Sequence, residues 1–214
     1  FGNQIGDDVA EKLMKLAYDN GVNFFDNAEA YARGKSEKVM GKILKKMKWR
    51  RDSYCVSSKV FFGARKESVL QKGLHRKHVF EACEQAIKRL NVDYLDLYFC
   101  HREDAEVPLA ETVAAMGELV RAGKIRAWGT SCWQPSTLRA AHALAAQLGC
   151  APPRVEQPRY NLLVRDIERD VLPTCQQLDM AVVAWSPLAG GVLTGKYLAG
   201  VAAGSRAAVS SWND

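Results

Sequence analysis

The chain has 214 residues, a formal charge of +6 and 48% hydrophobic residues, enough to bury the core of one α/β domain spanning 1–214. That modest charge, with no RNP, zinc-knuckle or helix-turn-helix signature, argues against nucleic acid. No apolar run approaches the ~18 residues that span a bilayer, so membrane insertion is not expected either. Six cysteines, Cys55, Cys83, Cys100, Cys132, Cys150 and Cys175, are scattered without a C-x-x-C pair and read as reduced core residues of a cytoplasmic protein. The chain begins at Phe1 without a signal peptide, and an upstream segment is expected.

In chain order, apolar stripes at helical spacing alternate with short apolar runs. Val9, Leu13, Leu16 and Ala17 form the first helix face, followed by a strand over residues 22–26. Met40, Leu44 and Met47 form the second face, and the basic run from Lys42 to Arg51 reads as a solvated helix end and turn. Strands over 54–59 and 94–100 flank a helix marked by Phe80, Cys83, Ile87 and Leu90. Leu109, Val113, Met116 and Val120 precede a strand over 124–130. Leu138, Ala141, Ala145 and Leu148 precede one over 153–157, and Val171, Cys175 and Leu178 one over 180–186. Gly21, Gly123 and Gly149 fall just past helix ends, where a left-handed cap favours glycine. The tail from Leu198 to Asp214 reads as loop.

Strict β/α alternation implies a parallel sheet with right-handed crossovers. An open doubly wound sheet is possible, but polar residues at every strand's carboxyl end suit a ring of loops over a barrel better. Against the ~250 residues of an eight-stranded barrel, the chain is about two strands short.

Asp26, Lys59 and His101 each end a strand, and Tyr31 follows the first by five residues. Each alone has an ordinary role: a turn cap, a solvated lysine, a half-buried aromatic, a hydrogen-bonded histidine. Together they fit carbonyl chemistry. A lysine ammonium stabilises a phenolate, an aspartate orients the lysine, a histidine binds the carbonyl oxygen, and no metal is required.

Two further motifs fail on inspection. GGVLTGK, residues 190–196, places Tyr197 where a P-loop needs Ser or Thr, although its glycines could still present N–H groups to a phosphate. GTSCW, residues 129–133, places Trp133 where a nucleophile elbow needs glycine. His75, His78, His101 and His142 show no zinc-ligand spacing.

In AYDNGVNFFDNAEAYARGKSE, WRRDSY, SSKVFFG, GLHRKH, WGTSCW and WSPLAGGVLTGKY the chain resembles the aldo-keto reductases, and among them the branch containing the β subunits of voltage-gated potassium channels. The resemblance implies a TIM (β/α)8 barrel, here lacking its first and last strands, and NADP(H) as cofactor. It implies Tyr31 as general acid, Lys59 and Asp26 lowering its pKa, and His101 orienting a small carbonyl substrate. It further implies Trp185 against the nicotinamide, Ser131 and Gln157 on its carboxamide, Gln4 beside it, and Ser186, Pro187, Leu188, Ala189 and Gly190 along the pyrophosphate. Lys196 and Arg206 match basic residues near the phosphates. An ion channel or a homo-oligomer is the implied protein partner. Three positions depart from the channel branch: His101 replaces a common asparagine, Cys132 an arginine, and Gly204 a tyrosine. The segment that would hold the adenosine 2′-phosphate has no counterpart.

Overall fold

A computed structural model describes residues 2–65, 67–201 and 203–208. Six parallel strands run in sequential order, β1 (Phe24–Asp26), β2 (Cys55–Val60), β3 (Leu95–Cys100), β4 (Ile125–Thr130), β5 (Val155–Glu156) and β6 (Ala181–Val182). They curl into an open arc, six of the eight strands of a (β/α)8 barrel. The helices are α1 (Asp7–Asp19), α2 (Lys35–Met47), α3 (Arg76–Leu90), α4 (Leu109–Arg121), α5 (Pro135–Gln147) and α6 (Val171–Gln177).

From α3 to α5 each helix buries one stripe in the core beside the sheet. Val79, Ala82, Cys83, Ala86 and Leu90 do so on α3, Val113, Met116 and Leu119 on α4, and Leu138, Ala141 and Ala145 on α5. Gly21, Gly123 and Gly149 all have positive φ, as helix-terminating glycines should. Because all strands point the same way and pair in register (Asp26 with Ser57, Lys59 with Phe99, Cys100 with Thr130, Thr130 with Glu156), their carboxyl ends form one rim.

Four expectations are corrected. The first helix buries Ala10 and Met14 instead, leaving Val9, Leu13 and Leu16 exposed, because α1 packs against α2 and the turn holding Trp49 and Ser53, while β1 is an open edge. The last two strands are two residues each: Pro152, Pro153 and Pro158 have no N–H to give, so regular ladder pairing stops at Val155 and Glu156. The chain nevertheless runs on beside residues 156–159, Val183 N–H donating to Glu156 O at 3.0 Å and Trp185 N–H to Pro158 O at 2.9 Å. Arg51 is not a solvated charge. It donates to Tyr54 O at 2.9 Å and to Asp96 at 2.6 Å, and lies 4.1 Å from the Tyr94 ring centroid, tying β2 to β3 away from the rim. Finally, Cys55 is exposed, unlike the buried Cys83, Cys100 and Cys175. The described part of the tail is turns with one short 3-10 helix at Arg206–Ala208; residues 202 and 209–214 lie outside the described residues. Among the described residues no helix is long and apolar enough to cross a membrane.

Candidate active site

Backbone hydrogen bonding continues one residue beyond the strands and pins the rim. His101 N–H donates to Val60 O at 3.0 Å, Ser131 N–H to Cys100 O at 3.0 Å, and Gln157 N–H to Thr130 O at 2.8 Å. Each rim side chain therefore stands on a strand rather than on a free loop.

Lys59 is fully buried and its ammonium is shared among three oxygens. It pairs with Asp26 Oδ2, donates to Asn27 O at 2.7 Å and stands 3.5 Å from Tyr31 Oη. Ser57 fixes the other Asp26 oxygen, its hydroxyl donating to Oδ1 at 2.5 Å. A buried cation paired and bonded in this way escapes the penalty of an isolated one. Tyr31 opens a turn whose next residues, Ala32 and Arg33, have φ of 48° and 54°, a conformation that costs non-glycine residues about 1–2 kcal/mol each. That turn sets the phenol over Lys59 while leaving it 42% exposed.

His101 meets Tyr31 and Phe62 edge to face, with ring centroids 5.9 and 5.1 Å away. Burial, reinforced by the positive charges of Lys59 and Arg102, pushes its pKa down to about 3, so the ring is neutral in ordinary buffers. Its Nδ1 is buried without a partner among the described residues. A neutral imidazole so placed can give one N–H to a carbonyl oxygen.

These groups share a cleft of about 590 Å³. Gln4, Asp26, Tyr31, His101, Ser131, Gln157, Trp185 and Arg206 line it, and Lys59 lies beneath. Ser131 donates to Gln157 O at 2.9 Å, while the Gln157 side-chain amide takes no partner among the described residues and opens on the cleft. With the half-open Trp185 ring, these fit a flat aromatic amide such as a nicotinamide. Ser186, Pro187, Leu188, Ala189 and Gly190 follow Trp185 but do not line this cleft. Lys196 is exposed, with its ammonium 5.1 Å from the Tyr197 ring centroid.

Residues absent from the sequence reading also shape the site. Phe62 and Arg102 line the cleft, and Glu29 positions Phe62 by accepting from Phe61 N–H at 2.8 Å and Gly63 N–H at 3.0 Å. Ser57, two residues before Lys59 on the same strand face, carried the clearest signal. Phe62 and Arg102 lie just past strand ends, where only the folded loops decide direction.

The aldo/keto reductase family model matches residues 1–213. The chain is 43% identical over 216 aligned positions to a probable voltage-gated potassium channel subunit beta from Oryza sativa subsp. japonica, an alignment covering all of this chain and 65% of that protein. With the rim residues, the parallel arc and the whole-length match in agreement, this chain belongs to the aldo/keto reductase family.

Proposed function

We propose that residues 1–214 act as one domain of a cytoplasmic, NADPH-dependent reductase of aldehydes or ketones. The observation that carries this reading is the ordered contact from Asp26 through Lys59 to the Tyr31 phenol, beside a neutral His101 on the same cleft. Bound NADPH supplies a hydride. Tyr31 donates a proton to the carbonyl oxygen, and the Lys59 ammonium stabilises the phenolate left behind. His101 holds the carbonyl oxygen from a second side, which a charge-neutral donor does without competing for the proton. Ser131, Gln157, Trp185 and Gln4 hold the nicotinamide; Ser186, Pro187, Leu188, Ala189, Gly190, Lys196 and Arg206 serve the phosphates. Tyr31→Phe removes only the phenolic proton donor. In the natural protein it should lower aldehyde reduction by about 10²–10⁴-fold, with NADPH binding retained; undiminished turnover would remove Tyr31 from the acid role.

A second reading is a cofactor-sensing regulatory subunit that docks on a potassium channel and turns over slowly. Similarity to the Oryza sativa protein, a probable voltage-gated potassium channel subunit beta, favours it, and His101 in place of asparagine favours the reductase. Stopped-flow oxidation of bound NADPH by an aldehyde separates the two: a fast single turnover that slows in His101→Asn supports the reductase, and a slow one unaffected by that change supports the sensor.

A further inference from the structure

Two carboxylates follow Arg102 in the chain, and both are engaged elsewhere. Glu103 accepts from Gln134 N–H, while Asp104 accepts from Leu74 N–H at 2.7 Å and Glu106 N–H at 3.0 Å. Among the described residues Arg102 makes no ion pair. The guanidinium is tied at one corner only: Nη1 donates to His101 O at 2.5 Å and reaches Ser131 Oγ at 3.5 Å, and the Phe62 ring centroid lies 5.7 Å from Cζ. Nε and Nη2 have no partner among the described residues and are not sealed from solvent. Those two N–H groups form the side-on edge that matches a carboxylate in bidentate fashion.

The rest of the cleft offers no anion to complete this fork. Among the described residues Asp26 is the one carboxylate in its lining, and both its oxygens are already taken by Ser57 and Lys59. The buried Lys59 ammonium adds a second cation below the same cleft, and its paired carboxylate, Asp26, is already engaged. A half-buried cation anchored beside the carbonyl-binding residues, with its recognition edge open, calls for an anionic group on the ligand.

Resting on the reductase reading, we propose that Arg102 is a specificity-determining residue that binds the carboxylate of a short aldehyde or ketone acid through Nε and Nη2 while the carbonyl meets Tyr31 and His101. The guanidinium is planar and already anchored through Nη1, so less side-chain entropy is lost on binding than for a free arginine.

The test compares succinic semialdehyde with butanal, equal in carbon count and differing in the carboxylate. In the natural protein with NADPH, kcat/KM should favour the acid by about 10–100-fold, the range of a charge-assisted hydrogen-bonded pair. Arg102→Met should bring that ratio near one through the KM of the acid. Arg102→Lys should keep part of it, since a point charge lacks the fork. Equal use of both aldehydes by the natural protein, or an unchanged ratio in Arg102→Met, overturns the proposal. So does weaker NADPH binding with the ratio unchanged, which would assign the guanidinium to the cofactor amide. Calorimetric titration of the two aldehydes, with a urea midpoint confirming that each variant is folded, separates this site from the reductase reading. Arg102-dependent binding of the acid by a protein that oxidises no NADPH keeps the carboxylate site and removes the reductase. Equal binding of both aldehydes removes the site itself.

Discussion

Lys59 and Trp185 serve one cleft from two regions of opposite construction. Lys59 belongs to the six-residue strand β2, paired on both sides, where Ser57, Ser58 and Lys59 are all fully buried. Trp185 follows the two-residue strand β6 and leads into a 3-10 segment, Ala189–Thr194, with Leu188 and Val192 more than half exposed. The Lys59 end is thus held by ladder bonds and by a charge network whose members each fix another. Besides a bond from Asn161 Nδ2 to Ser186 O at 3.0 Å, the segment after Trp185 is held by its own turns, and its backbone takes positive φ at Ser186 (57°), Ala189 (48°), Gly190 (67°) and Gly191 (100°). On the proposed reductase reading the contrast suits the two tasks: a proton moves over a hydrogen-bond length and needs fixed partners, whereas a long ligand needs backbone that can close along it.

The largest effect that sharpens this contrast comes from removing the charge at each end. Lys59→Met leaves Asp26 in a largely buried site without its cation and should destabilise the protein by about 3 kcal/mol, the lower end for breaking a buried pair, with aldehyde reduction falling about 10²–10⁴-fold. Lys196→Met removes an exposed cation and should change stability by no more than about 0.5 kcal/mol. Urea midpoints of both variants give the comparison directly; equal losses would mean that the two ends are equally built.

Glu156, on the boundary between the regions, offers a pH test. It is fully buried and accepts from Thr130 Oγ1 at 2.5 Å and Trp133 N–H at 3.3 Å, and burial raises its pKa from 4.5 to about 7. The folded state therefore holds a proton that the unfolded state releases, and stability is lost as pH rises from 4.5 through about 7. Glu156→Gln keeps the acceptor for Trp133 and abolishes that titration, so its stability relative to the parent should improve by about 2.5 kcal/mol between pH 5 and pH 8. A difference independent of pH would show that Glu156 titrates normally.

His101 has the opposite sign. Its pKa lies below the ordinary value, so its contribution is complete above pH 6.5 and is lost as pH falls toward about 3. The pH profile of reduction should accordingly show no inflection near 6.5, and an inflection there that vanishes in His101→Asn would mean that the ring is charged during turnover.

The smallest effect lies in the loop itself. Ala189→Gly relieves a left-handed alanine, and the gain, about 1 kcal/mol at most, is partly offset by the unfolded-state entropy of glycine. A thermal midpoint that rises slightly or stays level fits this account. A clear drop would show that the Ala189 side chain supports the loop.

The sequence by itself determined the order of strands and helices, because a parallel sheet requires apolar runs alternating with amphipathic stripes, and the rim, because parallel strands put Asp26, Lys59, His101, Ser131 and Gln157 at the same end. Gly21, Gly123 and Gly149 were legible for an equally local reason, since a backbone that must turn left-handed selects glycine. Tertiary structure decided what depends on neighbours distant in the chain. Whether the Val9 or the Met14 side of α1 is buried follows from which helix packs against it. That Arg51 braces two strands rather than facing water follows from where Tyr94 and Asp96 arrive. That Arg102 keeps an open edge follows from Glu103 and Asp104 binding other loops, a competition among long-range partners that no local pattern encodes.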